Sequence, residues 1–372
     1  MIDYAYKMLI GNRASCLGVI FGIFLATLLI SQQSAIFLGL LDRSYRIVTD
    51  IHEPNIWVMD PATQSEDKLR MLPLGYLDIV RGTPGVEWAV PFSESTVPLV
   101  TPGGKFDVCQ LYGIDDATLI GAPAKILEGS ASDLRREGGV MVDSYTAKKM
   151  PLKMGDTLEI NGKRAIVIGI CEVTQNFYPQ PIMFSSFSQA QIFNPGIAGR
   201  MSFILTKSTP ESKPATVTEA INANPSLKAL TREQFRSQII KFFLQTGILI
   251  NFGLSVLLGL IIGFSIAGQI FYIMTLENLV YYALIKAVGG SNKMIVQMIV
   301  FQAAIVGIVG FILGIGATVL WGMAIKNTTL AFSFPWQLLL FTGIIVLLIC
   351  IFTALLSIQK VFRADPKMLM GT

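Results

Sequence analysis

The chain has 372 residues, of which 52% are hydrophobic and only 15% charged, and its mean hydropathy is +0.58. A soluble domain carries about 25% charged residues, so much of this chain meets lipid. The formal net charge of +4 is small, acids and bases nearly cancel from Asp42 to Ile240, and the balance gives no case for nucleic-acid binding.

Residues 1–13 place Ile2, Tyr6, Leu9 and Ile10 near one helical face, which predicts a cytoplasmic interfacial segment at the inner membrane surface. From Ala14 to Leu41 no Asp, Glu, Lys, Arg or His occurs. That run exceeds the roughly 7–15 apolar residues of a signal-peptide core, so it predicts a retained span over 14–41 that includes the start of a stalk. Residues 42–241 have ordinary soluble composition and predict one large extracytoplasmic domain. Its outer pieces, 50–100 and 200–236, carry strand and short-helix patterns and predict an α+β base. Between them 101–195 predicts a β-rich insert, with Asn161-Gly162 marking a tight hairpin.

Three further charge-free runs follow, Phe242 to Leu276, Met294 to Ile325 and Asn327 to Gln359. Each exceeds the roughly 20 apolar residues that cross a bilayer, and they predict spans over 242–276, 294–325 and 337–359. The surplus length of 242–276 suggests that the first and second helices continue outward as a stalk. The predicted fold is therefore four transmembrane α-helices with a large α+β extracytoplasmic domain inserted between the first and second. Lys7, Arg13, Lys286, Lys293, Lys360, Arg363 and Lys367 collect on one side, while the short loop 326–336 on the other carries Lys326 alone. By the positive-inside rule both termini, including the tail 360–372, and the 277–293 loop are cytoplasmic.

Few residues suggest chemistry of their own. His52 beside Glu53 is no catalytic constellation, and Asp115-Asp116 reads as a turn. Cys109 and Cys171 both fall in strand-like runs of the outer domain, where a disulfide is conceivable in an oxidising compartment. Within the spans no charged residue offers a proton or ion pathway. Gly259, Gly263 and Ala267, and likewise Gly310 and Gly314, recur every four residues, a spacing that lets helices approach closely within one subunit or across a homodimer. No G-x-x-x-x-G-K-[ST] phosphate loop occurs, so ATP hydrolysis is not expected on this chain.

The 277–293 loop begins at Glu277 and reads through Tyr281 to Lys286-Ala287-Val288-Gly289 and Lys293, a short helix closed by glycine. It resembles the cytoplasmic loop of the MacB/FtsX superfamily of ABC transporter permeases, with Glu277, Lys286, Ala287 and Gly289 matching; Tyr281 and Ala283 replace the usual acidic residue and glycine. The one-plus-three arrangement of spans and the C-terminal Arg363-Ala-Asp365-Pro366 agree. The first hundred residues, with FGIFLATLLISQQSAIFLGLL and NIWVMDP, look most like the DevC-type branch. The resemblance implies a non-catalytic subunit that transmits motion from a separate cytosolic ABC ATPase, contacted through Glu277, Tyr281, Lys286, Ala287, Gly289 and Lys293. It further implies a second copy of the chain, a periplasmic adaptor protein and an outer-membrane channel, in export of a lipid, glycolipid or other hydrophobic substrate. An FtsX-like regulator of an extracytoplasmic partner and a ligand-binding membrane sensor are the alternatives.

Overall fold

The computed structural model describes residues 2–11, 13–66, 68–177, 180–325, 328 and 330–363. Two compact units result, Met1–Leu40 with Gly247–Thr372, and Leu41–Thr246. The chain opens with α1 (Ile2–Gly11), α2 (Arg13–Ser44) and α3 (Arg46–Asp50), then β1 (Ile56–Met59), β2 (Leu72–Pro73) and α4 (Tyr76–Arg81). It continues through β3 (Val86–Val100), β4 (Phe106–Ile114), β5 (Lys125–Glu128), β6 (Gly139–Asp143), α5 (Ser144–Lys149), β7 (Thr157–Ile160), β8 (Lys163–Glu172), β9 (Ile182–Ser186) and α6 (Phe187–Phe193). It closes with β10 (Arg200–Met201), β11 (Phe203–Ser208), α7 (Pro214–Asn222), β12 (Lys228–Thr231), α8 (Arg232–Gln245), α9 (Ile248–Glu277), α10 (Leu279–Ala287), α11 (Asn292–Ile325) and α12 (Trp336–Arg363).

Among the described residues four helices are long and apolar enough to cross a membrane, namely Arg13–Ser44, Ile250–Glu277, Asn292–Ile325 and Trp336–Gln359. A backbone in lipid must satisfy its own polar groups, which is why the charge-free runs become helices. Within this unit α2 is the element on which α9 and α11 close. A Cβ added to Gly310 or Gly314 of α11 would fall 2.8 Å from Ile23 Cβ or 2.5 Å from Thr27 Cβ. On α9, a Cβ at Gly263 would fall 2.3 Å from Ala26 Cβ, and one at Gly259 would lie 3.4 Å from Leu29 Cβ. All four glycines thus face α2 of the same chain. Ser31 Oγ and Thr318 Oγ1 add a hydrogen bond of 2.6 Å between α2 and α11.

The second charge-free run departs from the single helix that its composition suggests. Gly247 adopts φ +80°, a left-handed conformation that glycine reaches without steric cost, and the chain forms α8 and α9 on either side of it. Thr246 Oγ1 donates to the Phe243 carbonyl at 2.6 Å and so occupies an acceptor that the α8 terminus leaves open. By contrast α2 runs unbroken for 32 residues, about 48 Å at 1.5 Å per residue.

In the outer unit one sheet runs β12-β1-β11-β3-β4-β9-β6-β8-β5, with β7 bridging β3 and β8. Base and insert are not separated by a linker. Residues Val86 to Phe92 of β3 pair with β11, and Ser93 to Val100 pair with β4. One apolar core gathers Ile56, Val58, Val80 and Ile204, and a second gathers Leu99, Leu111, Val142 and Val167. Asn161 and Gly162 take φ +50° and +75° at the β7–β8 turn, both in the left-handed region that a primed hairpin demands. Cys109 and Cys171 are free and buried. They stand on β4 and β8, which do not pair with each other. Burial pushes the Cys109 thiol up to about 12.

Charged groups organise the start of this unit. Arg46 is buried, with Nε 3.3 Å from Glu66 Oε1, and its guanidinium lies 5.2 Å over the Tyr112 ring while donating to the Tyr112 hydroxyl. Asp50 accepts from Thr174 N at 3.0 Å and Thr174 Oγ1 at 2.9 Å, and burial raises its carboxyl above the usual range. Arg232, the first residue of α8, donates to the Val48 carbonyl at 2.6 and 3.0 Å and to the Ile51 carbonyl at 3.2 Å. Its guanidinium also lies 3.2 Å from His52 Nδ1, so the histidine is part of this clamp. Asp115 accepts from Thr118 N and Oγ1 and so organises its own turn, whereas Asp116 accepts from Ser188 N and Oγ at the start of α6.

Candidate coupling site

The helix ladder breaks at Asn278, whose buried side chain donates back to the Met274 carbonyl at 2.9 Å, and α10 begins at the next residue. Its far end is closed by glycine. Gly290 N donates to Ile285 O at 2.8 Å and Gly289 N to Lys286 O at 3.1 Å, the paired bonds of a Schellman motif. Gly289 takes φ +91°, as that motif requires. Lys286 lies in the last turn, where a cation complements the helix dipole.

One face of α10 is anchored. Tyr282 is 1% exposed, and its hydroxyl donates to Gln302 Oε1 of α11 at 2.9 Å. Gln302 Nε2 in turn donates to the Ala5 carbonyl of α1 at 3.0 Å. This buried chain ties three helices together, and burial pushes the Tyr282 phenol up to about 12. At the start of the loop Ser15 Oγ of α2 donates to Glu277 Oε2 at 2.6 Å. The opposite face is exposed and apolar: Leu276, Val280, Leu284 and Val288 recur every four residues, with Tyr281 beside them at 56% exposure.

The matching family models are the MacB-like periplasmic core domain over residues 14–224 and the FtsX-like permease C-terminal region over residues 238–366. The chain belongs to the MacB/FtsX family of permeases. Such a permease is a multi-pass, typically non-catalytic transmembrane subunit of the ABC type, and the family implies an ABC ATPase partner. Among solved structures, the chain is similar to the periplasmic region of MacB from Actinobacillus actinomycetemcomitans, at 16% identity over 52% of this chain and 95% of that one, TM-score 0.41. It is also similar to the extracellular domain of the noncanonic ABC-type transporter YknZ from Gram-positive bacteria, at 13% identity over 47% and 99%, TM-score 0.37. Comparison with curated proteins finds no match.

In this permease Glu277 is the last residue of α9, Tyr281 and Lys286 lie on α10, Ala287 is the last residue of α10, and Gly289 follows it. Lys293 stands apart in the first turn of α11, where Met294 N donates to Ser291 Oγ at 3.3 Å. Residues 364–372, with Asp365, Pro366 and Lys367, and Lys326 between α11 and α12 lie outside the described residues. On α1 the buried residues are Ala5 and Leu9, whereas Tyr6 and Ile10 are exposed, so the face that packs is set by α11 and not by the largest apolar side chains. Sequence reasoning missed Tyr282 and Gln302. A glutamine inside a charge-free run was the available signal, because an amide in that setting demands a partner.

Proposed function

We propose that this permease is the membrane subunit of an ABC exporter that works by mechanotransmission: a separate cytosolic ATPase pushes on α10, and the spans carry the displacement to the outer unit. The observation that carries this reading is the two-sidedness of α10. Its inner face is tied through Tyr282 and Gln302 to α11 and α1, and its outer face offers an exposed apolar stripe. A short helix anchored at both ends moves with its neighbours when loaded, whereas a solvated loop would yield. Glu277, Tyr281, Lys286, Ala287, Gly289 and Lys293 are the proposed contact set.

The Lys and Arg distribution supports cytoplasmic termini and a cytoplasmic α10. The DevC-like opening supports a place in that branch and, by analogy, a lipid, glycolipid or other hydrophobic cargo, with a periplasmic adaptor and an outer-membrane channel as further partners. A homodimer is proposed on the same resemblance. Intramembrane charge gives no alternative route for cargo, so the outer unit is the part expected to act on it.

Affinity purification of the full chain from its native membrane tests this reading. An ABC ATPase is expected to co-purify, and substituting Val280→Glu with Leu284→Glu on the exposed stripe is expected to abolish its stimulation by the permease. Recovery of an extracytoplasmic hydrolase in place of an adaptor would move the reading to an FtsX-like regulator. Loss of every ATPase from the wild-type preparation would move it to a ligand-binding sensor.

A further inference from the structure

The contact between α2 and α11 keeps one register for three rungs and then changes partner. Gly310 stands on Ile23 and Gly314 on Thr27, and Thr318 Oγ1 shares a hydrogen bond with Ser31 Oγ. Each rung lies four residues beyond the last on both helices, so the next in that register is Gly322 with Ala35. Both residues are small enough for backbones to meet. The atoms nearest a Cβ at Gly322, however, belong to the Phe332 ring, with which it would collide. One turn further along α2, a Cβ on Gly39 would fall 2.5 Å from Phe332 N and 2.8 Å from the Ala331 carbonyl carbon.

Residues 331–335, between α11 and α12, carry no regular secondary structure and form a strap seated on these two helices. Ser333 N donates to the Ala35 carbonyl at 3.0 Å, using the second lone pair of an oxygen that also serves the α2 ladder. Trp321 meets Phe332 edge-on at 5.7 Å, and Phe334 stacks on it at 6.2 Å. The rung that the ring displaces is one the spans already make elsewhere: a Cβ at Gly263 of α9 would run into Ala26 Cβ of α2. Ala35 on Gly322 would repeat that alanine-on-glycine contact. Two packings are therefore open to the outer ends of α2 and α11, and packed helix interfaces switch between such states rather than deform continuously.

We propose that residues 331–335 are a removable wedge, and that α2 and α11 switch between this wedged packing and a zipped one in which Ala35 rests on Gly322. Withdrawal takes the Ser333 N–H out to water, where it regains a partner. In exchange the fourth rung supplies close backbone packing, the term that drives helix association where lipid is the solvent. The two outer ends then approach by about 3.5 Å, the thickness of the ring that leaves. Both packings belong to the span unit alone, whereas their being driven by a cytosolic ATPase rests on the mechanotransmission reading.

The test uses the full chain in nanodiscs, with Cys16→Ser and nitroxide labels introduced by Gln33→Cys on α2 and Met323→Cys on α11. The other native thiols are buried and stay unlabelled. Double electron–electron resonance reads the distance between the labels, and hydrogen exchange reads the 331–336 segment. Gly39→Ala, which forces the strap backbone away and keeps the ring, and Phe332→Ala, which removes the ring, are both expected to shorten the distance by about 3 Å. Exchange at Ser333 is expected to rise about tenfold in each, the effect of one lost hydrogen bond. Gly316→Ala, where nothing stands within 4 Å of a Cβ, should leave both measurements at wild-type values. An unchanged distance in both strap variants overturns the zipped packing, and unchanged exchange in Gly39→Ala overturns the wedge. Adding the co-purified ATPase with ATP and vanadate to the labelled chain without strap substitutions is expected to shorten the distance in the same way. If the strap variants shorten it and the ATPase does not, the two packings stand and the coupling reading fails.

Discussion

In the membrane unit α9 and α11 reach α2 where side chains are missing, at Gly263, Gly310 and Gly314, whereas in the outer unit α3 is held by guanidinium groups from Arg46 and Arg232. The difference follows from the solvent each surface leaves on folding. Lipid tails are as apolar as the helix faces they cover, so burial alone drives nothing there, and close approach with its dispersion gain must do so. Beside water, a buried charge costs several kcal/mol of desolvation, and only a fixed partner offsets it. The outer unit accepts that cost at Arg46 and Glu66, and gains a partner choice that apolar packing does not specify.

The largest expected effect breaks the outer half of this comparison. Arg46→Ala leaves Glu66 buried without its guanidinium, and such a loss costs about 3–5 kcal/mol. Denaturant unfolding followed by fluorescence of Trp57, which packs on Phe203 and Phe235, measures it. If Arg46→Met with Glu66→Leu fails to restore most of that stability, the desolvation account is wrong. In the membrane half, Gly314→Leu is expected to cost about 3 kcal/mol by overpacking against Thr27. Gly316→Leu is the control, because nothing stands within 4 Å of a Cβ there, and its effect should stay within about 0.5 kcal/mol. Thermal unfolding in detergent separates the two.

Smaller effects sharpen the comparison where polar groups enter the membrane unit. Gln302→Leu leaves the Tyr282 hydroxyl and the Ala5 carbonyl without this partner and is expected to cost about 1–2 kcal/mol. ATPase stimulation should fall with it, while a purely structural role would leave stimulation proportional to folded protein. At Gly247 a Cβ has open space, so Gly247→Ala carries only the strain of the left-handed backbone, about 1 kcal/mol, readable as a small drop in melting temperature.

Much of this architecture was legible in the sequence because charge-free length reports the surrounding medium directly. The spans, the strand at Ile56–Met59 and the Asn161-Gly162 turn follow from local pattern. The break at Gly247 did not, since a glycine within an apolar run is equally compatible with an unbroken helix, and only its backbone angle decides. The change of partner along β3 at Phe92 and Ser93 was hidden for a related reason: alternation fixes which face a strand buries, not which strand lies beside it. Tyr282 with Gln302 and Arg46 with Glu66 depend on contacts 20 residues apart.

The uninterrupted ladder of α2 and the single left-handed residue at Gly247 have unequal mechanical meanings. A continuous helix resists torsion as well as compression, because every hydrogen bond must shear when one end is turned. A joint of one glycine resists being shortened but little resists swivelling about it. On the proposed coupling, α2 is the span that would bear torsion along its whole length, and Gly247 is the point at which α9 would shed it.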